Sequence, residues 1–380
     1  MRPLRVLDLF SGAGGFSEGF RSAGFDIAGA VELDLVAAQT LLVNHPETPV
    51  AAGEDVRGLD SDSIFSLTDG PIDVLVAGPP CQGFSITGKR DPAHESTELL
   101  YDTARVVEEL HPAAFVIENV PGLLSFRNGL VVDRFIRQLN AIRVGAYRYS
   151  VSFETLDVAG FGVPQHRRRI FICGLIGEHY AFPTPSSNRV SLNEAIGDLP
   201  EWTTGPTEIV KLPKAYPVTP YQRARRRGAG ALYNHSAKRL QELRLARIAE
   251  LKEGNDRRDL PAHLQSGGRA GKYRRLRGSV PSPTIVAHMS KDTSDFIHPH
   301  YDRMLTVREA ARLQSFDDRY RFTGSQFQQF RQVGNAVPPQ MAKLLAEALE
   351  PIARRAVNRL HLRSGRTSRP SKRSRRLVKV

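Results

Sequence analysis

Two cysteines in 380 residues, Cys81 and Cys173, are too few for a disulfide framework or a cysteine-rich zinc module, and a reducing compartment is the default. No stretch approaches the ~18 consecutive apolar residues that a membrane span needs. Residues 1–8 run straight into a strand pattern, with no charged and hydrophobic leader to read as a signal peptide. These absences predict a soluble, cytoplasmic protein with no membrane partner. No internal repeat is present. Acid is also missing from one place: residues 351–380 hold eleven Lys and Arg and no Asp or Glu.

What is there is an uneven charge. The chain carries +13 overall. Residues 205–285 contribute eighteen basic and six acidic side chains, for +12, and residues 351–380 a further +11. The remaining body is acidic, at −10. An acidic body with two basic attachments suits a polyanionic partner, although basic runs are commonly just solvated faces or tails.

The first 176 residues alternate strand-like and helix-like segments. Strands are predicted at 5–10, 27–33, 72–77, 113–120 and 169–176, and helices at 16–22, 35–44, 99–110 and 130–142. Near-continuous apolar strands between amphipathic helices predict an α/β fold: a doubly wound, mostly parallel sheet with ligands at the strands' carboxyl ends. The pattern breaks near Pro183, where seven prolines between Pro183 and Pro220 punctuate a stretch of low periodicity. A second, smaller and irregular domain is predicted there, with one long helix over 237–253. Thr306 and Glu309 form a capping box opening a helix to Gln314. Pro338 and Pro339 precede a last helix through about Ala356. Residues 366–380, rich in Ser, Arg and Lys, predict a disordered end.

Four segments carry chemistry. Asp8-Leu-Phe-Ser-Gly-Ala-Gly-Gly-Phe16 ends a strand in a glycine turn before a helix, a geometry that brings backbone N–H groups against a nucleotide-like ligand. The dinucleotide fingerprint fails, since Ser17 stands where Gly or Ala is expected. Glu32, at the next strand end, is placed to accept from ribose hydroxyls. Ala77-Gly-Pro-Pro-Cys-Gln-Gly-Phe-Ser85 puts Cys81 at a strand's carboxyl end in a Gly/Pro loop, where partial exposure permits nucleophilic sulfur. Cys173, in an apolar strand, reads as core. Glu118 and Asn119 interrupt the apolar run Phe115–Val120, and a carboxylate there is costly unless paired or employed. In Gln165-His-Arg-Arg-Arg169, alternation puts Arg167 and Arg169 on one side of a strand and Arg168 on the other. Two guanidiniums on one face suit an anion or a carbonyl oxygen.

In this order, together with Val-Glu-Leu-Asp (31–34), Arg303–Asp318 and Gln-Val-Gly-Asn-Ala-Val-Pro-Pro (332–339), the motifs resemble the cytosine-C5 DNA methyltransferases from Val6 to about Leu349. The resemblance implies a class I methyltransferase fold. It assigns 1–182 to a catalytic and cofactor-binding domain, 183–324 to target recognition, 325–350 to a segment returning to the catalytic domain, and 351–380 to a basic tail. It implies that Cys81 attacks C6 of a cytosine flipped out of the duplex, that Glu118 serves N3, and that Arg167 and Arg169 line the pocket, Arg169 nearest O2. Gln82, Gly83 and Ser85 belong to the loop that closes over the base. S-adenosylmethionine, leaving as S-adenosylhomocysteine, would lie across Phe10, Ser11, Gly12, Ala13, Gly14, Gly15, Glu32, Leu33, Asp55, Val56, Pro80, Asn335 and Val337. No metal is implied. Double-stranded DNA is the implied partner of a monomer, which is either a solitary methylase or the functional partner of a cognate restriction endonuclease. One departure is Asp91-Pro-Ala-His-Glu95, where many relatives carry Asp-x-Arg-Asn.

Three rivals are weighed. A zinc deaminase needs Pro-Cys-x-x-Cys, and Phe84 occupies the last position. His298-Pro-His300 reads as a solvated pair rather than a metal site. A tRNA cytosine-C5 methyltransferase shares the catalytic motifs but has a compact recognition region, whereas this one spans about 100 residues. A DNA-binding module without catalysis gives no reason for the Cys81 thiol.

Overall fold

Short apolar segments pair side by side because each is buried on both faces, the condition that favours a parallel sheet. In the computed structural model, which describes residues 1–84, 95–201, 209–211, 218–265, 272–290 and 294–367, five such strands are parallel. They are β1 (Arg5–Leu9), β2 (Asp26–Glu32), β3 (Val50–Ala52), β4 (Val74–Ala77) and β5 (Ala114–Asn119). β6 (Arg143–Val144), β7 (Tyr147–Asp157) and β8 (Arg168–Ile176) extend the sheet, in the order β3-β2-β1-β4-β5-β8-β7-β6. The mostly parallel α/β sheet expected from the sequence is present. β8, however, runs antiparallel to β5, because β7 precedes it and pairs with it antiparallel over nine residues. β7 itself is absent from the predicted strands. Its alternation of Tyr147, Tyr149, Val151 and Phe153 with polar neighbours is the period-two signature of a half-buried strand.

The intervening helices are α1 (Gly15–Ser22), α2 (Leu35–Asn44), α3 (Ser61–Thr68), α4 (Ser96–Leu110) and α5 (Leu130–Ala141). Beyond the sheet come α6 (Leu192–Ile196), a two-stranded ribbon of β9 (Ile209–Lys211) and β10 (Ala231–Tyr233), α7 (Pro220–Arg226) and α8 (Glu242–Ala249). α9 (Val307–Leu313), α10 (Gln326–Asn335) and α11 (Pro339–Thr367) follow. The helix expected over 237–253 is only α8. Gln241 is extended, and Leu251 leaves the helix to pack with Ile248, Leu260 and Tyr273 in a small separate core. The last helix, by contrast, outruns its expected end at Ala356 and includes Arg366 and Thr367; 368–380 lie outside the described residues.

α11 brings the end of the chain back to its beginning. Met341, Leu345 and Leu349 join the sheet core, and a Cβ on Gly19 of α1 would lie 2.4 Å from the Cβ of Ala342. Phe330 and Val333 of α10 instead join a second core built on α6 and α9. Among the described residues no helix is long and apolar enough to cross a membrane.

The second core is pinned by buried charge. Arg312 of α9, fully buried, binds Asp318 through Nε at 2.6 Å and Nη2 at 2.7 Å, and Asp198 through Nη1 at 2.9 Å. Arg226 of α7 reaches Asp198 at 2.7 Å. Removing one member of such a cluster strands the others in a dry interior. Arg312→Ala should therefore cost about 3–5 kcal/mol, lowering the melting temperature by roughly 10 °C in calorimetry. An unchanged transition would show that Asp198 and Asp318 are not held as ions.

Candidate active site

Every segment singled out in the sequence arrives at one edge of the sheet, the carboxyl end of the parallel strands. Phe10 follows β1 with φ of 56°, and Gly12 and Gly14 also adopt positive φ. At Gly14 and Gly15 the turn has no room for a side chain. A Cβ on Gly15 would lie 2.2 Å from the Val337 carbonyl oxygen, and one on Gly14 would meet Leu41 at 2.5 Å and the Tyr320 hydroxyl at 2.8 Å. At Gly12 the reverse holds, since a Cβ there would meet nothing within 4 Å. The turn is thus packed on one side and open on the other.

α1 begins at this turn with Gly14 as N-cap, which offers no side chain to its first N–H groups. Asp8 does so from the strand, accepting from Ser17 N at 3.2 Å and Ser17 Oγ at 2.6 Å. Burial pushes the Asp8 carboxyl up to about 7. The Ser11 hydroxyl and the second Asp8 oxygen are buried without a hydrogen-bond partner. At the end of β2, Glu32 accepts from Gly12 N and Asp34 N, both at 2.7 Å, and burial raises its pKa. Leu33 is exposed beside it. Asp55 caps the short turn Val56–Gly58, and its carboxylate is engaged by Arg57 at 2.5 Å; Val56 is in the sheet core.

Past β4, Asn119 holds the Pro79 carbonyl at 3.3 Å. Half-buried Pro80 and Cys81 follow in the chain. The chain then turns: Phe84 N donates to Cys81 O at 3.0 Å, and Phe84, fully buried, stacks edge-on against Phe126. Gly83 is buried with it and Gln82 is exposed, so the start of the expected closing loop is anchored. Ser85 lies outside the described residues.

The antiparallel register pairs Asn119 with Ile170, which sets Glu118 beside Arg169. Arg169 Nε lies 3.0 Å from Glu118 Oε1. Burial and the Glu118 charge push the Cys81 thiol up, while Arg169 and Arg167 pull it down. The thiol, the carboxylate and the guanidinium therefore share one electrostatic neighbourhood. Arg167 is placed differently from Arg169, fully buried among backbone carbonyls. Cys173 is core, as expected.

Asn335 is exposed at the end of α10, and Val337 lies against the glycine turn. Tyr320, whose hydroxyl donates to Ala13 O at 2.6 Å, is a supporting residue that the sequence reading missed. No local pattern marks it, because its partner lies some 300 positions away. Of the His298–His300 pair only His300 is exposed as expected: His298 is buried, stacks on Tyr301 at 4.5 Å, and its Nδ1 accepts from the His300 and Tyr301 N–H groups. Among the described residues no cluster of His, Cys, Asp or Glu could hold a metal.

Residues 4–351 match the sequence profile of the family described as C-5 cytosine-specific DNA methylase. The chain is 37% identical to Type II methyltransferase M.AgeI of Thalassovita gelatinovora, over 91% of this chain and 99% of that protein. It is 36% identical to Type II methyltransferase M.DdeI of Desulfomicrobium norvegicum, over 91% and 88%. Among solved structures, one described as a DNA modification methyltransferase encoded within an E. coli prophage superposes with a TM-score of 0.75 at 26% identity, covering 92% of this chain and 99% of that one.

Proposed function

The chain belongs to the C-5 cytosine-specific DNA methylases, and we propose that its chemistry is carried by Cys81, Glu118 and Arg169 acting on a cytosine brought to the edge of the sheet. The observation that carries this reading is the Glu118–Arg169 pair beside a thiol, with Glu118 at the carboxyl end of β5, Cys81 past that of its parallel neighbour β4, and Arg169 at the start of antiparallel β8. As a member of that family the protein transfers a methyl group to C5 of cytosine in DNA.

Cys81 Sγ, as thiolate, adds to C6 of the ring and pushes electron density onto C5. Glu118 meets N3, protonating it or hydrogen-bonding to it, so that negative charge does not accumulate on the ring. Arg169, already oriented by Glu118, faces the base through its guanidinium and suits the O2 carbonyl. After transfer, loss of the C5 proton expels Cys81 and restores the aromatic ring. The ring atoms are inaccessible inside a stacked duplex, so the base must be flipped out, at a few kcal/mol of unstacking.

The methyl donor fits the open side of the glycine turn. S-adenosylmethionine, when bound there, supplies a methyl group on a positively charged sulfur. Gly12 leaves space, the Ser11 hydroxyl lacks a partner, and Glu32 presents a carboxylate. Phe10, Leu33, Pro80, Asn335 and Val337 would complete the walls, and Asp55 would serve adenine only by turning from Arg57. Gly15→Ala tests the fit. Helix propensity alone would favour alanine by about 1 kcal/mol, but the 2.2 Å approach to Val337 is to backbone and cannot be relieved by a rotamer. The KM for S-adenosylmethionine should rise about tenfold in the variant, and an unchanged value would put the donor elsewhere.

Similarity to relatives named Type II methyltransferases supports a role in restriction–modification, and we read the protein as a cytoplasmic monomer acting on double-stranded DNA, with a cognate endonuclease as functional partner. We read 183–324 as the target-recognition region and the basic residues of 205–285 as its phosphate contacts. Bisulfite sequencing of DNA and tRNA from a host expressing the protein tests the reading. Protected cytosines within one recurring DNA sequence are expected, and protection confined to tRNA would overturn it.

A further inference from the structure

The helix α10 ends badly by its own resources. Its last carbonyls need donors, yet the following residues are Ala336, Val337, Pro338 and Pro339. No glycine is present to make a left-handed cap, and neither proline has an N–H. The missing donors come from other elements, Arg167 from far away in sequence and Gln314 from the end of α9. Arg167 Nη1 donates to Gly334 O at 3.1 Å and Nη2 to Ala336 O at 3.1 Å, while Nη1 also reaches Ile285 O at 2.9 Å. Gln314 Nε2 donates to Val333 O at 2.7 Å and to Ala336 O at 3.3 Å. Gln165 ties these together, giving one N–H to Gln314 Oε1 at 2.7 Å and accepting Ile285 N at 3.0 Å. All three side chains are buried.

The placement suits a cation. The carboxyl end of a helix carries partial negative charge, and a guanidinium among its carbonyls is stabilised there without a carboxylate partner. What the cap holds lies one residue on, where Val337 sits directly against Gly15 of the glycine turn. On its other side Gly334 packs so closely on Val286 and Ala287 that a Cβ would lie 2.3 Å from backbone. The segment has no slack, and a shift at Ala336 is a shift at the donor-site wall.

We propose that Arg167 is a positioning residue rather than a group that touches the base: with Gln165 and Gln314 it clamps the end of α10 to the start of β8 and thereby sets the Gly15–Val337 wall of the methyl-donor site. This rests on the reading above that the glycine turn holds the donor. Arg169, two residues on, faces the reacting groups, so the strand's alternation does not give its two arginines one task.

The test separates donor binding from chemistry. In Arg167→Lys the charge remains, but one ammonium cannot span three carbonyls. Its Kd for S-adenosylmethionine, by calorimetry without DNA, should rise about tenfold or more, and its KM in step. The single-turnover rate at saturating donor and DNA should stay within about threefold of the parent. Gln314→Ala, which keeps the arginine, should weaken donor binding in the same direction, by about threefold, and decides the matter if Arg167→Lys does not fold. A single-turnover rate down by about 100-fold or more with donor affinity intact would overturn the proposal and return Arg167 to the base. So would unchanged donor affinity in Gln314→Ala. Failure of the parent enzyme itself to bind S-adenosylmethionine would strike the underlying reading instead.

Discussion

Cys81→Ala should abolish methylation, by about 10⁴-fold or more, while leaving affinity for the DNA target within about threefold in a mobility-shift assay. In the proposed chemistry the thiol supplies the covalent handle on the ring, and it shares its neighbourhood with Glu118 and Arg169. The side chain is half-buried, and its loop is fixed by Phe84 in the core and by Asn119 on the Pro79 carbonyl rather than by sulfur. Removing one sulfur atom therefore leaves the surroundings standing. Residual methylation near the parent rate would mean that addition to C6 is not how C5 is activated.

Glu118→Gln should lower the rate about 10²–10⁴-fold, the range for losing a positioned proton donor, and it should do something less obvious to Cys81. The Glu118 charge is one of the influences that push the thiol up, and Arg169 is tied to that same carboxylate. Neutralising Glu118 removes the repulsion and releases Arg169 to the sulfur, and both changes favour thiolate. The midpoint of the pH profile for Cys81 alkylation should thus sit above that of an ordinary cysteine in the parent and fall in the variant. A more reactive thiol in a slower enzyme would separate the two roles. A midpoint that rises in Glu118→Gln would mean that the carboxylate does not face the thiol.

The sequence makes the reacting groups legible because chemistry forces odd residue types into places where packing alone would not put them. A thiol between a Pro-Pro pair and a glycine, and a carboxylate at the end of an apolar strand, stand out without any coordinates. Strands and helices of the first half are legible for a related reason, since each is a local pattern. β7 was equally regular but covers one face only, and a half-buried strand competes poorly with loops in a search for apolar runs. The support around the site is the part that local reading cannot supply. Tyr320 holding Ala13, Arg331 paired with Asp34 at the start of α2, and Gln165 bonded to Gln314 join residues far apart in the chain. Their side chains are unremarkable in sequence and acquire a task only when the fold brings the ends together. Arg167 shows the same limit from the other side: the alternation groups it with Arg169, and its carbonyl partners show that the two diverge.

The contact between Gly15 and Val337 has a consequence for how the enzyme comes into being. One wall of the proposed donor site is synthesised with Gly15 and the other only once Val337 has been added. A polypeptide still attached to the ribosome, or cut anywhere before residue 337, can have its reactive cysteine and its glycine turn and yet lack the surface opposite Gly15. On the donor-site reading proposed above, methylation needs Val337 in place, and a product truncated before it is expected to be silent rather than poorly selective.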